Sequence, residues 1–299
     1  MRCVDQVTLG ALVYALLALC VSCSGITDRS GSRSALHGRS GISKRASLSA
    51  PIQTTLNLYA AYAGAAYNDM DEWTCTPECQ DPGTSGTVID YTWDIGVVTS
   101  NGYVAHNPNK RIIVVAFRGT NEPGDWLQDL TLTHYPWPSQ IAGSSVISGF
   151  LSGYLVARPL VIQNVLDLAT RFPGYSIVAT GHSLGASRAA MFVADFALQH
   201  PELRQRLQMY TYGQAKCGNK SFADFMNGSG IPITRVVNKG DIAPHLPGDD
   251  PTLVQFGTEV WYTPTNDTVT CTNEDYSKCS EGLPQTALNI ADHSTYPNL

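Results

Sequence analysis

The sequence predicts an α/β fold with a mostly parallel central sheet flanked by helices. Predicted strands and helices alternate between about residues 111 and 238, which implies crossover connections between parallel strands. A continuous apolar run, residues 112–117, is typical of a strand that is covered on both faces. A second apolar segment, residues 176–180, leads directly into an alanine-rich helical pattern.

The first elements come before this alternation. Residues 50–67, APIQTTLNLYAAYAGAAY, have apolar residues at helical spacing and carry a proline in the first turn, so they predict a helix. Two short strands are then predicted around a turn at Ser100, Asn101 and Gly102, and a third strand from Arg111.

The later elements give the alternation its regular order. Residues 153–171 predict a helix with Pro159 near its first turns. The remaining elements are a strand at 176–180, a helix at 187–199, a strand at 209–213, a helix near 221–226 and a strand at 233–238. We expect one domain, residues 46–299, because no linker interrupts this part of the chain.

The first 45 residues have the pattern of a leader that is removed. A nearly charge-free apolar segment follows Arg2 and is shorter than the roughly 20 residues that span a bilayer. It leads into small residues, so we interpret residues 1–24 as a signal peptide, with an uncleaved anchor as the alternative. Residues 25–45 are rich in Ser, Gly and Arg, which predicts a disordered propeptide ending at the dibasic pair Lys44-Arg45. Secretion to the extracellular space is therefore expected.

The charge balance argues against two classes of partner. The chain has 19 basic and 25 acidic residues, and six basic and two acidic ones fall in the first 45 residues. The rest of the chain therefore has 13 basic and 23 acidic side chains and a net charge near −10. This charge argues against nucleic acid and anionic lipid as partners. No other segment is apolar enough for stable membrane insertion.

The cysteines agree with an oxidising compartment. Of the eight cysteines, three fall in the signal region. Four of the others form two sequence-close pairs that could each close a disulfide loop: Cys75 with Cys79, and Cys271 with Cys279. Cys217 remains and is predicted to be a buried apolar residue. A zinc site is disfavoured because paired CxxC spacing and nearby histidines are missing from the sequence, so we expect no metal.

Three Asn-X-Ser/Thr sequons occur in the second half of the chain, at Asn219, Asn227 and Asn266. Each would permit N-glycosylation on a surface loop of a secreted protein. A sequon permits the modification without requiring it, so occupancy stays open.

The stretch GHSLG, residues 181–185, places Ser183 between two glycines at a predicted strand-to-helix junction. This is the structural context that the G-x-S-x-G nucleophile motif requires. Glycines on both sides would leave room for a sharp turn that lifts the hydroxyl above the sheet. We therefore interpret Ser183 as a nucleophile, and a purely structural turn is the alternative.

A serine hydroxyl needs a base to become a nucleophile at neutral pH. In hydrolases with this motif the chain order is serine, acid, histidine. His200 closes a predicted helix and His245 comes soon after the best acid candidate, which leaves His293 as the favoured base.

Asp241 is the favoured acid because it follows the predicted strand 233–238, at a carboxyl end where such residues are found. The other nearby acids, Asp249, Asp250 and Glu259, are interpreted as solvated loop charges. Asp292 adjoins His293, and neighbouring side chains rarely align for such a hydrogen bond.

Two oxyanion donors and a lid complete the predicted site. The backbone N–H of Leu184 lies at a predicted helix start, and Thr120 follows the turn after the strand that ends at Phe117. Apolar and polar residues alternate in the next segment, which suggests a lid, with an ordinary packed helix as the alternative. The candidate lid residues are Asp125, Trp126, Leu127 and Leu130.

Several motifs together resemble the secreted fungal class 3 lipases, a family that includes triacylglycerol lipases, mono- and diacylglycerol lipases and feruloyl esterases. They are AAYAGAAY, FRGT with DWLQDL, SGF, GHSLGAS, YGQAKCGNKSFADF, DIAPHLP and HSTY, in the family's order over roughly residues 50–299. The resemblance implies an α/β-hydrolase fold and a Ser183–Asp241–His293 triad. It also implies Thr120 and Leu184 as oxyanion donors and a lid near residues 121–130.

The sequence departs from the family pattern at a few positions. Members often join the first helix to the C-terminus by a disulfide, but Asn68 stands at the first position and no cysteine follows Cys279. We therefore expect a looser terminus near His293. Ile147 stands where the family usually has histidine, and Gly240 stands where it has asparagine.

The resemblance implies a carboxylic-ester hydrolase that needs no cofactor and acts as a monomer on a small ester or a lipid at an oil–water interface. Acylglycerol hydrolysis is the favoured reaction. A feruloyl-type esterase is the first alternative, because GHSLGAS and HSTY also look like that branch. A non-catalytic lipid-binding protein on the same scaffold is the second alternative.

Overall fold

The computed structural model describes residues 48–68, 71–96, 100–120, 132–248, 250–272 and 275–299. The signal peptide, the propeptide and the predicted lid residues Asp125, Trp126, Leu127 and Leu130 lie outside these ranges, as does Asp249. Within the described ranges, no helix combines the length and the apolar character needed to cross a bilayer.

The described residues form two sheets. The strands are β1 Val88–Ile95, β2 Ser100–Asn107, β3 Ile112–Phe117, β4 His134–Pro136, β5 Ser145–Ile147, β6 Ser176–His182, β7 Leu207–Tyr212, β8 Gly218–Asn219, β9 Ile233–Asn238, β10 Leu253–Val254, β11 Thr258–Tyr262 and β12 Thr268–Cys271. The large sheet has the order β1-β2-β3-β6-β7-β9-β11-β12 and the small one has the order β10-β8-β5-β4.

The centre of the large sheet is parallel, as the sequence predicts. Strands β3, β6, β7, β9 and β11 run in the same direction. Strands β1 and β2 on one side and β12 on the other pair in antiparallel fashion. Since the carboxyl ends of parallel strands meet at one edge, the loops after β3, β6, β7 and β9 come together there.

Both faces of this sheet are covered by helices. The helices are α1 Ala50–Ala65, α2 Ser148–Arg171, α3 Leu184–Gln199 and α4 Lys220–Gly228. The side chains of β3 alternate between two cores: Ile113, Val115 and Phe117 lie in the core that contains α2 and α3. The others, Ile112, Val114 and Ala116, lie in the core that contains α1. This alternation explains the continuous apolar run, because neither face of the strand meets water.

The predicted turn at Ser100, Asn101 and Gly102 is wrong, because these residues belong to β2. Gly102 pairs with Phe117 of β3. A Cβ at Gly102 would lie 2.2 Å from the Ala116 carbonyl oxygen and 2.5 Å from the Trp93 ring. The glycine is needed for close packing between strands and not for a turn.

Two helices begin earlier than the sequence predicts. Helix α2 begins at Ser148, so Pro159 lies inside it and not near its first turns. Helix α3 begins at Leu184, directly after Ser183, and is buried along most of its length. Ser183 and Ser187 are polar, so the apolar periodicity of the sequence does not show where this helix begins.

Two disulfides hold surface loops. Cys75 is bonded to Cys79, and Cys271 at the end of β12 is bonded to Cys279. The thiol of Cys217 is buried, and burial raises its pKa to about 12, so it stays protonated at neutral pH. Among the described residues, no group of three or more His, Cys, Asp or Glu side chains is arranged to hold a metal ion.

Candidate active site

Ser183 occupies a sharp turn between β6 and α3. Its backbone has φ +60° and ψ −128°, in a region that side-chain-bearing residues rarely adopt. Its N–H donates to the Tyr212 carbonyl oxygen at 2.9 Å, and its carbonyl oxygen accepts from Ala186 at 3.0 Å. Hydrogen bonds on both sides therefore hold the strained residue in place, which is the arrangement that the motif predicts.

The two flanking glycines make this turn possible. A Cβ at Gly185 would lie 2.0 Å from the Phe117 carbonyl oxygen of β3. A Cβ at Gly181 would lie 2.6 Å from the backbone carbon of Gly185. Neither contact leaves room for a methyl group, so the helix start can approach the sheet only with glycine at both positions.

His293 and Asp241 form a fully buried pair beside this turn. The Nδ1 atom of His293 lies 2.9 Å and 3.0 Å from the two carboxylate oxygens of Asp241. Both side chains have 0% exposure. Asp241 follows β9, and its Oδ1 accepts a further hydrogen bond from the Ala243 N–H at 2.8 Å. The carboxylate is thereby fixed at the carboxyl edge of the sheet.

Tyr296 supports the same carboxylate from the other side. Its hydroxyl donates to Asp241 Oδ2 and accepts from the Asn238 N–H at 3.2 Å. Burial and the nearby Asp241 raise the pKa of Tyr296 well above its ordinary value, so the hydroxyl keeps the proton that it donates. Sequence reasoning missed this residue, although it lies three positions after His293 in the HSTY motif.

The hydrogen bonds determine which atom of His293 is available for chemistry. A neutral ring that donates its Nδ1–H to Asp241 carries a lone pair on Nε2. His293 Nε2 and Ser183 Oγ are both buried, and neither makes a hydrogen bond within the described part of the chain. The site thus combines a strained serine with a histidine whose base nitrogen is unoccupied.

Gly213 packs directly on the Asp241–His293 pair. It follows β7 with φ +58°, and a Cβ there would lie 2.7 Å from Asp241 Oδ2 and 2.8 Å from His293 Cε1. Only glycine satisfies both the backbone conformation and this close approach. The sequence offered no specific signal for this position.

The loop after β3 passes close to the turn at Ser183. A Cβ at Gly119 would lie 3.1 Å from the Ser183 Cβ and 2.7 Å from the His182 carbonyl oxygen. Thr120 is the next residue and the last one described before the predicted lid. Leu184 is the first residue of α3, so its N–H is one of those without a partner inside the helix. Both predicted oxyanion donors therefore belong to segments that border Ser183.

The rejected histidines have other surroundings. His200 caps the end of α3, as predicted, and its Nδ1 lies 3.5 Å from Glu202. His245 lies in a short 3₁₀ helix after Asp241, and burial lowers its pKa. Neither occupies the position of His293 against the Asp241 carboxylate.

The rejected acids also have separate partners. Hydrogen bonds from Thr252 and His134 lower the pKa of Asp250 to about 2. Glu259 is buried and pairs with Arg235 at 3.2 Å, so it is not the solvated loop charge that the sequence predicts. Asp292 accepts from the Gly240 N–H at 3.0 Å.

The C-terminal segment is held without the family's long-range disulfide. Asn238 donates through Nδ2 to the carbonyl oxygens of Asp292 at 2.9 Å and Thr295 at 3.2 Å. Leu299 packs on α1, where a Cβ at Gly64 would lie 3.1 Å from its Cα. These contacts fix the C-terminal segment against β9 and α1, and the looser terminus stays a prediction.

The structure shows the surroundings of two further departures from the family pattern. Ile147 is fully buried and caps the start of α2, so it fills an apolar position. A Cβ at Gly240 would lie 2.2 Å from the Ala287 carbonyl oxygen. The loop before Asp241 therefore requires glycine in this chain.

The three sequons differ in their surroundings. Asn219 caps α4, and its Nδ2 donates to the Gly143 carbonyl oxygen at 2.8 Å. Asn227 is exposed and accepts from the Gly257 N–H at 2.7 Å through Oδ1. Asn266 is exposed in the turn between β11 and β12, with φ +61°. The side-chain amide of Asn266 makes no hydrogen bond within the described residues.

Comparisons with known proteins agree with this geometry. The family profile described as Lipase (class 3) matches residues 114–250. A lipase from Rhizomucor miehei is 33% identical over 229 residues, which cover 75% of this chain and 61% of that protein. A second lipase, from Rhizopus niveus, is 32% identical with 62% of its length covered. The chain thus spans about three-fifths of the length of these relatives.

Solved structures of lipases have the same fold. The lipase from Rhizopus microsporus var. chinensis has a TM-score of 0.79 and 29% identity, with 85% of this chain and 89% of that chain covered. A triacylglycerol lipase whose catalytic centre is described as a serine protease triad has a TM-score of 0.78 and 30% identity. The match covers 85% of this chain and 97% of that one. The described fold is therefore the α/β-hydrolase fold of these lipases.

Proposed function

Because this chain belongs to the class 3 lipase family, we propose that it is a serine carboxylic-ester hydrolase that acts on acylglycerols. The observation that carries the proposal is that the strained turn at Ser183 adjoins the buried His293–Asp241 pair, because the neighbouring His182 contacts both the ring and the carbonyl oxygen of His293. A hydroxyl, a base and an orienting carboxylate are the groups that acyl transfer requires. One chain supplies all three groups, so the proposed site needs no second copy of the chain, and we propose that the enzyme acts as a monomer.

The proposed reaction begins with proton transfer inside the site. His293 Nε2 takes the Ser183 hydroxyl proton while Oγ attacks the ester carbonyl carbon. Asp241 holds the resulting imidazolium through Nδ1–H. The protonated ring then donates its proton to the leaving alcohol as the C–O bond breaks, which leaves an acyl-enzyme. A water molecule attacks this intermediate by the same route, releases the fatty acid and restores Ser183.

The oxyanion of each tetrahedral intermediate needs donors that are in place before the reaction. The backbone N–H of Leu184 and the N–H and hydroxyl of Thr120 are the proposed donors. Removing one such donor in other hydrolases costs about 10²–10³ in kcat. The contact between Gly119 and the Ser183 turn supports this assignment, because it holds the Thr120 loop against the nucleophile.

The substrate proposal rests on the family and on the predicted lid. The related proteins are lipases, and one is a triacylglycerol lipase. Trp126 and Leu127, with Asp125 and Leu130, remain the predicted lid that would face a lipid surface. We place the enzyme outside the cell, because a leader pattern precedes residue 46 and the described residues contain two disulfides.

A substrate comparison tests the proposed reaction. The chain from residue 46 is assayed in parallel on tributyrin and methyl ferulate, with Ser183→Ala as the control. We expect faster hydrolysis of tributyrin, abolished in the variant. Preference for methyl ferulate would favour the feruloyl esterase, and full activity in Ser183→Ala would exclude the mechanism. Lipid binding without any Ser183-dependent hydrolysis would favour the non-catalytic alternative.

A further inference from the structure

Three hydrogen bonds join parts of the site that are distant in the sequence. The backbone N–H of Gly119 donates to the hydroxyl of Tyr67, which lies in the turn after α1. The Tyr67 oxygen lies 2.8 Å from His182 Nδ1. His182 Nε2 lies 2.9 Å from the backbone carbonyl oxygen of His293. This relay connects the loop after β3, the residue before Ser183 and the proposed base.

The chemistry of the groups gives each bond its direction. A carbonyl oxygen can only accept, so His182 Nε2 carries the proton in its bond to His293. Burial, and then the neighbouring His293, lower the pKa of His182 well below its ordinary value, so the ring is neutral. Its Nδ1 is therefore an acceptor, and the Tyr67 hydroxyl donates to it. Burial also raises the pKa of Tyr67, which keeps its proton in place.

Close packing leaves this relay little freedom to shift. A Cβ at Gly119 would lie 2.2 Å from the Tyr67 hydroxyl oxygen. The rings of His182 and His293 have centroids 4.4 Å apart, with an angle of 30° between their planes. His182 thus contacts both the backbone and the ring of the proposed base. The hydrogen bond to the carbonyl oxygen does not involve the reacting atoms of Ser183 or His293.

We propose that Tyr67 and His182 are positioning residues that hold His293 and the Thr120 loop in register with Ser183. The inference rests on the proposed hydrolase function. Since a misplacement of about 1 Å can cost roughly 100-fold in rate, partial loosening of both loops is expected to cost about 10-fold. Binding of the substrate is not expected to change, because Tyr67 and His182 are proposed to position other groups and not to contact the substrate themselves.

The test is a kinetic cycle on p-nitrophenyl butyrate with Tyr67→Phe, His182→Gln and the double variant. Tyr62→Phe is the matched control, because Tyr62 is a nearby tyrosine in α1 whose hydroxyl bonds Thr87 and Asn107 instead. We expect Tyr67→Phe to lower kcat about 10-fold with KM within twofold, and the control to leave kcat within twofold. The double variant should lose no more than His182→Gln, because either change breaks the same relay.

The melting temperature of each variant shows whether a lower kcat reflects misplaced groups or a loss of folded structure. Single effects that multiply in the double variant, or a Tyr67→Phe kcat equal to that of Tyr62→Phe, would overturn the inference. If His182→Gln does not fold, the comparison of Tyr67→Phe with Tyr62→Phe alone decides. Fluorophosphonate labelling of the unaltered protein is measured first: no label at Ser183 removes the proposed function, whereas labelling with an unaffected Tyr67→Phe removes only the relay.

Discussion

Replacing Gly213 by alanine would introduce one methyl group against the proposed acid–base pair. The new Cβ would lie 2.7 Å from Asp241 Oδ2 and 2.8 Å from His293 Cε1, whereas ordinary contacts begin at 3.4 Å. Asp241 and His293 are fully buried and hydrogen-bonded to each other, so they must move together or separate. To restore ordinary contacts, the Asp241 and His293 side chains must therefore move by about 0.6–0.7 Å. The close packing around them leaves no free space that could absorb the overlap.

The expected kinetic cost follows from this displacement. A misplacement of about 1 Å in a catalytic geometry costs roughly 100-fold, so we expect kcat of Gly213→Ala to fall about 10- to 100-fold. A second cost arises because φ at this position is +58°. A side chain in the left-handed region costs about 1–2 kcal/mol, so stability is expected to fall as well.

Gly230→Ala separates the two effects. Gly230 has φ +75°, but a Cβ there would meet nothing within 4 Å. It carries the backbone cost without the contact to Asp241 and His293. The assay is kcat and KM on p-nitrophenyl butyrate together with thermal melting. The reasoning would be refuted by a Gly213→Ala kcat within twofold of the Gly230→Ala value.

Three other predictions concern different parts of the molecule. Tyr296→Phe removes a hydrogen bond to the Asp241 carboxylate, a type worth about 1.5–3 kcal/mol; we expect kcat/KM to fall about 10-fold or more, and unchanged kinetics would contradict the role. His182 has a lowered pKa in the folded state, so its stabilising contribution is present above about pH 6.5 and is lost as pH falls below it, by up to about 1.4 kcal/mol per pH unit. Melting temperatures between pH 7 and pH 5 should thus fall less steeply in His182→Gln, and equal slopes would argue against a neutral buried ring. When the protein is secreted from a glycosylating host, we expect glycosidase treatment to lower the mass of the unaltered protein but not that of Asn266→Gln. A glycan on Asn219, whose amide nitrogen is already hydrogen-bonded, would contradict this prediction.

The sequence reveals those parts of the fold and the candidate site that depend on local patterns. Continuous apolar runs identify the buried parallel strands, because covering both faces removes the alternation of polar residues. The spacing of the two glycines in GHSLG predicts the turn at Ser183, because the residues that must be small for this turn lie close to Ser183 in the sequence. Position after a strand and chain order select Asp241 and His293 as the candidate acid and base, and the structure brings these two side chains together.

Features that depend on contacts between distant segments were not predicted. Gly102 follows Asn101, a pair typical of hairpin turns, but its requirement comes from Trp93 and β3. The proposed role of Tyr67 depends on its contact with His182, which is 115 positions later. The packing of Gly213 against the proposed acid–base pair likewise arises from the fold. A single sequence contains these residues but does not show which other residues they contact in the fold.

The central claim is that Ser183, His293 and Asp241 act together in acyl transfer. A fluorophosphonate probe followed by intact-mass and peptide mass spectrometry tests it most directly. We predict one adduct, located on Ser183, that is absent in Ser183→Ala and forms at least 1000-fold more slowly in His293→Ala, as expected when a base is removed from such a triad. An adduct on another residue, or equal labelling rates with and without His293, would contradict the account.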